Sequence, residues 1–206
     1  YTKQDASEAQ LKTSSTLDIS TLHIATHGFF YAPQRIEKPL STSLLFDLTY
    51  NNHQEVNKLD EDKMLTRSGL ILSGANNRLR KINIPDGVED GILFADEIAS
   101  LNLSNIDLVV LSACESGLGN VESSEGVFGL QRGFKIAGVN SLIMSLWKVD
   151  DTATQILMTA FYENLLTGQS KNDAFQNAQF ALRTFENNKY DNYIYWAAFV
   201  LLDGLN

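Results

Sequence analysis

The stretch "IDLVVLSAC", residues 106–114, decides the fold, because it is an apolar run of β-forming residues that ends in small residues and the only cysteine. Its hydrophobicity is nearly continuous, which is typical of a strand covered on both faces in a parallel sheet. Four other short runs end in the same way at Gly, Ser or Asp: "LHIATHGFF" (22–30), "GLILSGA" (69–75), "NSLIMSLW" (140–147) and "AAFVLLDG" (197–204). These runs predict a mostly parallel sheet.

Segments with helical periodicity lie between the predicted strands. They are "ADEIASL" (95–101), "EGVFGLQRGFKIAG" (125–138) and two longer helices that follow residue 150. The first long helix has apolar residues at three- and four-residue steps from Ala153 to Leu165, with Asp150 or Asp151 as the predicted N-cap. Alternating strands and helices predict an α/β sandwich with right-handed crossovers.

Composition excludes several classes of protein. A chain of 206 residues that is 44% hydrophobic can bury a proper core, so we predict one domain over residues 1–206. The formal net charge of −9 opposes nonspecific binding to nucleic acid or anionic lipid, so protein partners are favoured over nucleic acid or membrane. No apolar run is long enough to span a bilayer, and the first residues do not resemble a signal peptide, so we expect a cytoplasmic protein.

Cofactor and metal sites are not favoured. One cysteine cannot close an intrachain disulfide. A metal site would have to use carboxylates and three scattered histidines, His23, His27 and His53. We therefore expect neither a metal nor another cofactor.

Residues 31–67 differ from the rest of the chain. They are polar, charged and aperiodic, which predicts an exposed insertion loop with at most one short element. Such a loop is either a solvated insertion or a functional loop, and the composition leaves both open.

Two residues with reactive side chains close predicted strands. Ligands of open α/β sheets bind at the carboxyl ends of the strands, where His27 ends "LHIATH" and Cys114 ends "LVVLSAC". An imidazole beside a thiol can take its proton and later protonate a leaving amine. The amides of Gly28 and Cys114 would then stabilise the oxyanion.

Structural roles for these residue types stay open at this point. A lone cysteine at a strand end is often a small inert core residue, and a lone histidine on a strand is often structural. His23 lies four residues before His27 and is interpreted as a hydrogen-bonded residue in the core or behind the site. His53 lies in the polar insertion and is interpreted as solvated.

Five segments together resemble a CHAT domain, the caspase-like cysteine peptidase module often joined to tetratricopeptide repeats. They are "LHIATHGFF", "DLVVLSACESGLG", "GVFGLQRGFKIAGVNSLIMSLWKVDD", "LMTAFYENLLTG" and "YWAAFVLLDG", in family order over nearly the whole chain. The resemblance implies a caspase-like three-layer α/β sandwich, shared with separase, with a mostly parallel sheet flanked by helices. It also implies His27 as general base, Cys114 as nucleophile, a protein substrate, and an attached or associated tetratricopeptide or other regulatory domain.

The spacing and the start of the chain depart from the related patterns. Caspases have a related "QAC" motif about 50 residues after the histidine, whereas 87 residues separate the two here, and the insertion at 31–67 absorbs the difference. CHAT domains usually begin with a strand and helix ahead of the segment resembling "ASEAQLKTSS", so we expect the first strand and helix to be lacking here.

The sequence around the cysteine is acidic. Glu115, Glu122 and Glu125 surround Cys114 in sequence, and their negative charge disfavours a thiolate.

A second resemblance concerns substrate specificity. The segment "WKVDD" (147–151) resembles "WDVTD" of separase, which supplies an acidic wall for the P1 side chain. This implies that Trp147 and the aspartates Asp150 and Asp151 bind substrate, with one aspartate used as a helix cap. Lys148 weakens the acidic field, so a basic and a neutral P1 preference both stay open.

Three functions follow from these residues. The first is a cysteine endopeptidase with a His/Cys dyad, used in regulated signalling or defence. The alternative is a catalytically inactive caspase-like module that binds proteins as a scaffold. Nucleotide binding through "ESGLGNVESSEG" (115–126) is weaker, because the segment lacks both the Lys-Ser/Thr of a P-loop and the G-x-G-x-x-G spacing.

Overall fold

The computed structural model describes residues 1–30, 64–85, 87–112, 114–115 and 124–204. The predicted insertion at 31–67 lies outside the described residues from 31 to 63. In chain order the elements are a 3₁₀ helix at Lys3–Asp5, α1 (Glu8–Lys12), a 3₁₀ helix at Thr13–Thr16, β1 (Thr21–Ile24), β2 (His27–Phe30), β3 (Ser68–Ile71), α2 (Ala75–Leu79), β4 (Ile92–Phe94), α3 (Ala95–Ala99), β5 (Leu108–Leu111), β6 (Cys114–Glu115), α4 (Ser124–Ile136), β7 (Ser141–Ser145), α5 (Asp151–Leu166), α6 (Lys171–Asn188), α7 (Tyr193–Trp196) and β8 (Phe199–Leu202).

The central sheet has four strands in the order β1-β5-β7-β8. β5 pairs in parallel with both β1 and β7, and β8 is an antiparallel edge strand beside β7. The prediction of an α/β fold with a mostly parallel sheet is therefore confirmed.

Helices cover both faces of this sheet. Val109 and Leu111 of β5 pack into one apolar cluster with α3 and α4, whereas Leu108 and Val110 pack into a second cluster with α5 and α6. Successive strand residues point to opposite faces, so a strand buried on both sides must be apolar at every position. This three-layer arrangement explains the continuous hydrophobicity of "LVVL".

A second sheet of four strands has the order β4-β3-β2-β6 and was not predicted. β3 is antiparallel to both β2 and β4, and only the β2–β6 pair is parallel. Leu70 and Leu93 of this sheet pack into the cluster that holds α3 and α4. These helices therefore cover the second sheet as well as one face of the first.

The prediction of single strands over 22–30 and 106–114 is wrong, because each run is divided between the two sheets. The first run leaves the central sheet after Ile24 and resumes pairing at His27, and the second leaves after Leu111 and resumes at Cys114. The side chain of Thr26 donates a hydrogen bond to the carbonyl of Ile71, which ties the first break to β3.

Helix α4 approaches its neighbours closely through glycine. A Cβ built on Gly133 would lie 2.6 Å from the carbonyl oxygen of Ala95, and one on Gly129 would lie 2.8 Å from that of Met64. A backbone oxygen cannot rotate away as a side chain would. Glycine at these positions therefore sets the distance between α4 and the elements beneath it.

Replacement of Gly133 by alanine tests this contact. Alanine gains up to about 1 kcal/mol of helix propensity over glycine, but overpacking a tight contact costs about 1–3 kcal/mol. We expect Gly133→Ala to lower the free energy of unfolding by about 1–2 kcal/mol in urea titrations. The matched control is Lys135→Ala on the exposed side of α4, with no loss expected. A stabilised Gly133→Ala protein would contradict the close approach.

Candidate active site

The backbone brings the two predicted dyad residues to adjacent positions. β2 and β6 are parallel, with His27 opposite Cys114 and Gly28 opposite Glu115. Neighbouring strands lie about 4.8 Å apart, and residues in register are the positions from which side chains interact across a sheet. Two residues 87 positions apart in sequence are thus neighbours in the fold.

His27 lies on an inner strand of the second sheet with its side chain exposed. Its partners in register are Ile71 of β3 on one side and Cys114 of β6 on the other. Pairing on both sides fixes the backbone of the histidine, while the exposed imidazole stays accessible to a substrate. A general base needs both properties.

Gly28 lies between the same two neighbouring strands. It is buried and is paired in register with Leu70 and with Glu115. The role of its amide, like that of Cys114, in an oxyanion hole stays a prediction.

His23 is hydrogen-bonded as expected. Part of its side chain is exposed, so it is not a core residue, and the other interpretation, a residue behind the site, stays a prediction. Its Nε2 lies 2.9 Å from Ser112 Oγ, and its Nδ1 lies 3.0 Å from the hydroxyl oxygen of Tyr162. Desolvation against these neighbours lowers its pKa. The partners are 89 and 139 residues away in sequence, so no local pattern could have found them.

The segment after β7 carries the predicted substrate-binding residues. Trp147 is half-buried, packs against the α5–α6 cluster, and donates its indole N–H to the carbonyl of Ile194 at 2.9 Å. Asp150 is the N-cap of α5 and accepts the amide of Ala153 at 3.0 Å. Asp151 is the first residue of the helix and is exposed. Asp150 therefore fills the capping role that the sequence left open between the two aspartates.

Three carboxylates that could hold a metal lie elsewhere, around α1. The oxygen atoms of Glu8, Glu89 and Glu97 lie within 4.8 Å of one another. Lys12 already bonds all three, at 2.7, 2.9 and 3.1 Å. Burial alone would lower the pKa of Lys12, but its hydrogen bonds to the carboxylates raise that pKa above the usual range. The ammonium group thus offsets part of the negative charge of the cluster and links α1 to α3.

A cavity of about 520 Å³ lies between the N-terminal segment and β1. Among the described residues its lining includes His23, Thr26 and Leu72, but not His27. It therefore lies beside the candidate dyad rather than at it. Within the described part of the chain, no helix is long and apolar enough to cross a membrane.

Comparison with known families agrees with this geometry. The profile of the CHAT domain matches residues 1–204. The chain belongs to the CHAT domain family. This is a caspase-like peptidase family, which agrees with the sheet order and with the neighbouring histidine and cysteine.

Two curated relatives share part of this CHAT domain. The chain is 30% identical over 112 residues to "Tetratricopeptide repeat protein 28" of Mus musculus and 29% identical over 116 residues to the Homo sapiens protein of the same name. The matched regions cover 54% and 56% of this chain. They cover 4% of each relative, so the chain spans a small fraction of the relatives' length.

The two aspartates of this CHAT domain differ in their expected effect on stability. We expect Asp150→Ala to lower the free energy of unfolding by about 1 kcal/mol, because the amide of Ala153 loses its acceptor. Asp151→Ala removes only a charge near the helix N-terminus, worth about 0.3–1 kcal/mol. Urea titrations of both variants provide the measurement. A larger loss for Asp151→Ala than for Asp150→Ala would contradict the assignment of the cap.

Proposed function

We propose that this CHAT domain is a cysteine endopeptidase in which His27 is the general base and Cys114 the nucleophile. The observation that supports it is the register of β2 and β6, which sets these two residues opposite each other. The exposed imidazole and the strand pairing on both sides of His27 add to it.

The proposed reaction has two stages. His27 takes the proton of the Cys114 thiol, and the thiolate attacks the carbonyl carbon of the scissile peptide bond. Backbone amides at Gly28 and Cys114 stabilise the oxyanion, and the imidazolium gives its proton to the leaving amine as the C–N bond breaks. Water, deprotonated by His27, then hydrolyses the thioester and restores the thiol.

Regulation is proposed to come from attached or associated segments. Both relatives are named as tetratricopeptide repeat proteins, and the region shared with this chain is a small part of each. We therefore propose that this domain acts with tetratricopeptide or other regulatory segments in signalling or defence.

Alkylation of the only thiol tests the dyad. A free thiol of ordinary pKa is mostly protonated at pH 7, so a neighbouring base should accelerate its reaction. We expect Cys114 in the folded parent to react with iodoacetamide about tenfold faster than in His27→Ala. His53→Ala, which changes a histidine of the insertion, serves as the control and should match the parent.

The same experiment separates the two candidate functions. Equal rates for the parent, His27→Ala and a denatured chain would contradict the dyad and favour a caspase-like scaffold without turnover. A rate that depends on His27, together with cleavage of a peptide library, would support the endopeptidase.

Substrate specificity is proposed to depend on Asp151. Asp150 is used as the cap, whereas the carboxylate of Asp151 is exposed, and we propose that it pairs with a basic P1 side chain. A charge-assisted hydrogen bond contributes about 1.5–3 kcal/mol, which corresponds to at least about tenfold in rate.

Peptide substrates that differ only at P1 provide the measurement. We expect kcat/KM for Arg to exceed that for Leu by about tenfold, and Asp151→Asn to remove the difference. Asp173→Asn is the matched control, because Asp173 is the acidic residue in the first turn of α6. Equal rates for Arg and Leu in the parent would contradict a basic P1 site and leave the dyad untouched.

A further inference from the structure

Three side chains from distant parts of the sequence form a hydrogen-bonded chain at the carboxyl edge of the central sheet. The hydroxyl of Tyr162 on α5 lies 3.0 Å from Nδ1 of His23 on β1. Nε2 of the same imidazole lies 2.9 Å from Oγ of Ser112, and the rings of His23 and Tyr162 have centroids 5.7 Å apart. We call this the Tyr162–His23–Ser112 chain.

Ser112 lies in the break between β5 and β6, two residues before Cys114. Its amide donates to the carbonyl of Ile24 at 3.0 Å, and its hydroxyl is bonded to His23. Both the backbone and the side chain of this residue are thus tied to β1. After Ser112 the polypeptide leaves the central sheet and continues to β6, the strand that carries Cys114.

We propose that His23 is a positioning residue for the dyad, because it links Tyr162 to Ser112 and so fixes the backbone through which Cys114 enters β6. The inference rests on the proposed role of Cys114 as nucleophile. It assigns functions to three residues that lie outside the predicted site.

Either tautomer of a neutral imidazole fits this arrangement. One ring nitrogen donates and the other accepts, and the hydroxyls of Tyr162 and Ser112 can each do either. The link therefore needs no proton transfer in order to hold the junction. Desolvation lowers the pKa of His23, which keeps the ring neutral.

The same three residues have the connectivity of a serine nucleophile with its base, so that role must be compared. A Ser-His pair works when a carboxylate stabilises the imidazolium that forms. Here the third residue is a tyrosine, and burial raises its pKa to about 12, so it stays neutral. Among the described residues the ring nitrogens of His23 are bonded to two neutral hydroxyls and to no carboxylate, and burial lowers the pKa of His23. Positioning is the role that these environments support.

The test removes single hydroxyls and leaves the rings in place. Tyr162→Phe keeps the packing against His23, and Ser112→Ala keeps the hydrogen bond from the backbone amide of residue 112 to the carbonyl of Ile24. The control is Tyr195→Phe, a half-buried tyrosine packed in the cluster beside α5 but outside the chain. Thermal unfolding of each variant shows that it is folded.

Two measurements are made on each protein. Hydrogen exchange of the peptide covering 112–115 reports the order of the junction, and the rate of Cys114 alkylation by iodoacetamide reports its chemical consequence. We expect Tyr162→Phe and Ser112→Ala each to exchange faster and to alkylate about threefold to tenfold more slowly, as for loss of one hydrogen bond. Ser112→Thr, which retains a hydroxyl, should restore the parent values. Tyr195→Phe should match the parent.

Coupling between the two ends tests the role of His23. Tyr162 and Ser112 act through the same imidazole. The alkylation rate of the double variant Tyr162→Phe/Ser112→Ala should therefore fall no further below the parent rate than that of His23→Asn alone. Parent-like exchange and alkylation in both single variants would overturn the proposal, and so would effects that add fully. Labelling of Ser112 by a fluorophosphonate would also overturn it, because that serine would then be a nucleophile.

The outcomes separate this inference from the proposed function. If the parent alkylates no faster than His27→Ala, the dyad is wrong, and the exchange of residues 112–115 still decides whether the chain positions the junction. If alkylation depends on His27 but not on Tyr162, Ser112 or His23, the dyad stands and the positioning role is wrong.

Discussion

The register of the parallel pairs β1–β5 and β2–β6 is the constraint on which the candidate site depends. β1 pairs with residues 87 positions later in β5, and the same offset holds between β2 and β6 after both strands have changed sheet. A slip of one residue would set Gly28 opposite Cys114 and move His27 out of register with it. The candidate dyad is therefore a consequence of strand pairing, and the loops that follow each strand do not have to create it.

Burial alone cannot specify this register. β5 is apolar on both faces, so a one-residue slip would exchange one set of apolar side chains for another rather than expose them to water. Polar contacts at the two ends supply what the apolar residues cannot. At one end of β5, the carbonyl of Ser20 accepts hydrogen bonds from the amides of Asp107 and Leu108. At the other end, Ser112 is hydrogen-bonded to Ile24 through its amide and to His23 through its hydroxyl. The polar contacts that fix the register of this buried strand therefore lie just beyond its two apolar ends.

The sequence predicted the elements that have a long or continuous pattern and missed those that depend on distant contacts. The central sheet, the two long helices and an aspartate cap on α5 follow from periodicity and are confirmed. β4 has only three residues, Ile92–Phe94, which is too short for any period to show. The ends of β1 after Ile24 and of β5 after Leu111 were missed because the small residues that follow, Ala25, Thr26 and Ser112, are compatible with a continuing strand. For the candidate site, the sequence placed His27 and Cys114 at the carboxyl ends of two strands, whereas they are the first residues of β2 and β6 in the second sheet. The partners of His23 come from two other elements.

The two histidines of "LHIATH" show how environment separates the roles of identical side chains. They are four residues apart, but the break after Ile24 places them in different sheets. His23 lies between two hydroxyls, and partial burial of its ring lowers its pKa, which suits a neutral link. His27 lies exposed on an inner strand of the second sheet, in register with Cys114. Had the strand run straight, both rings would have pointed to one face of one sheet, and neither environment would have formed.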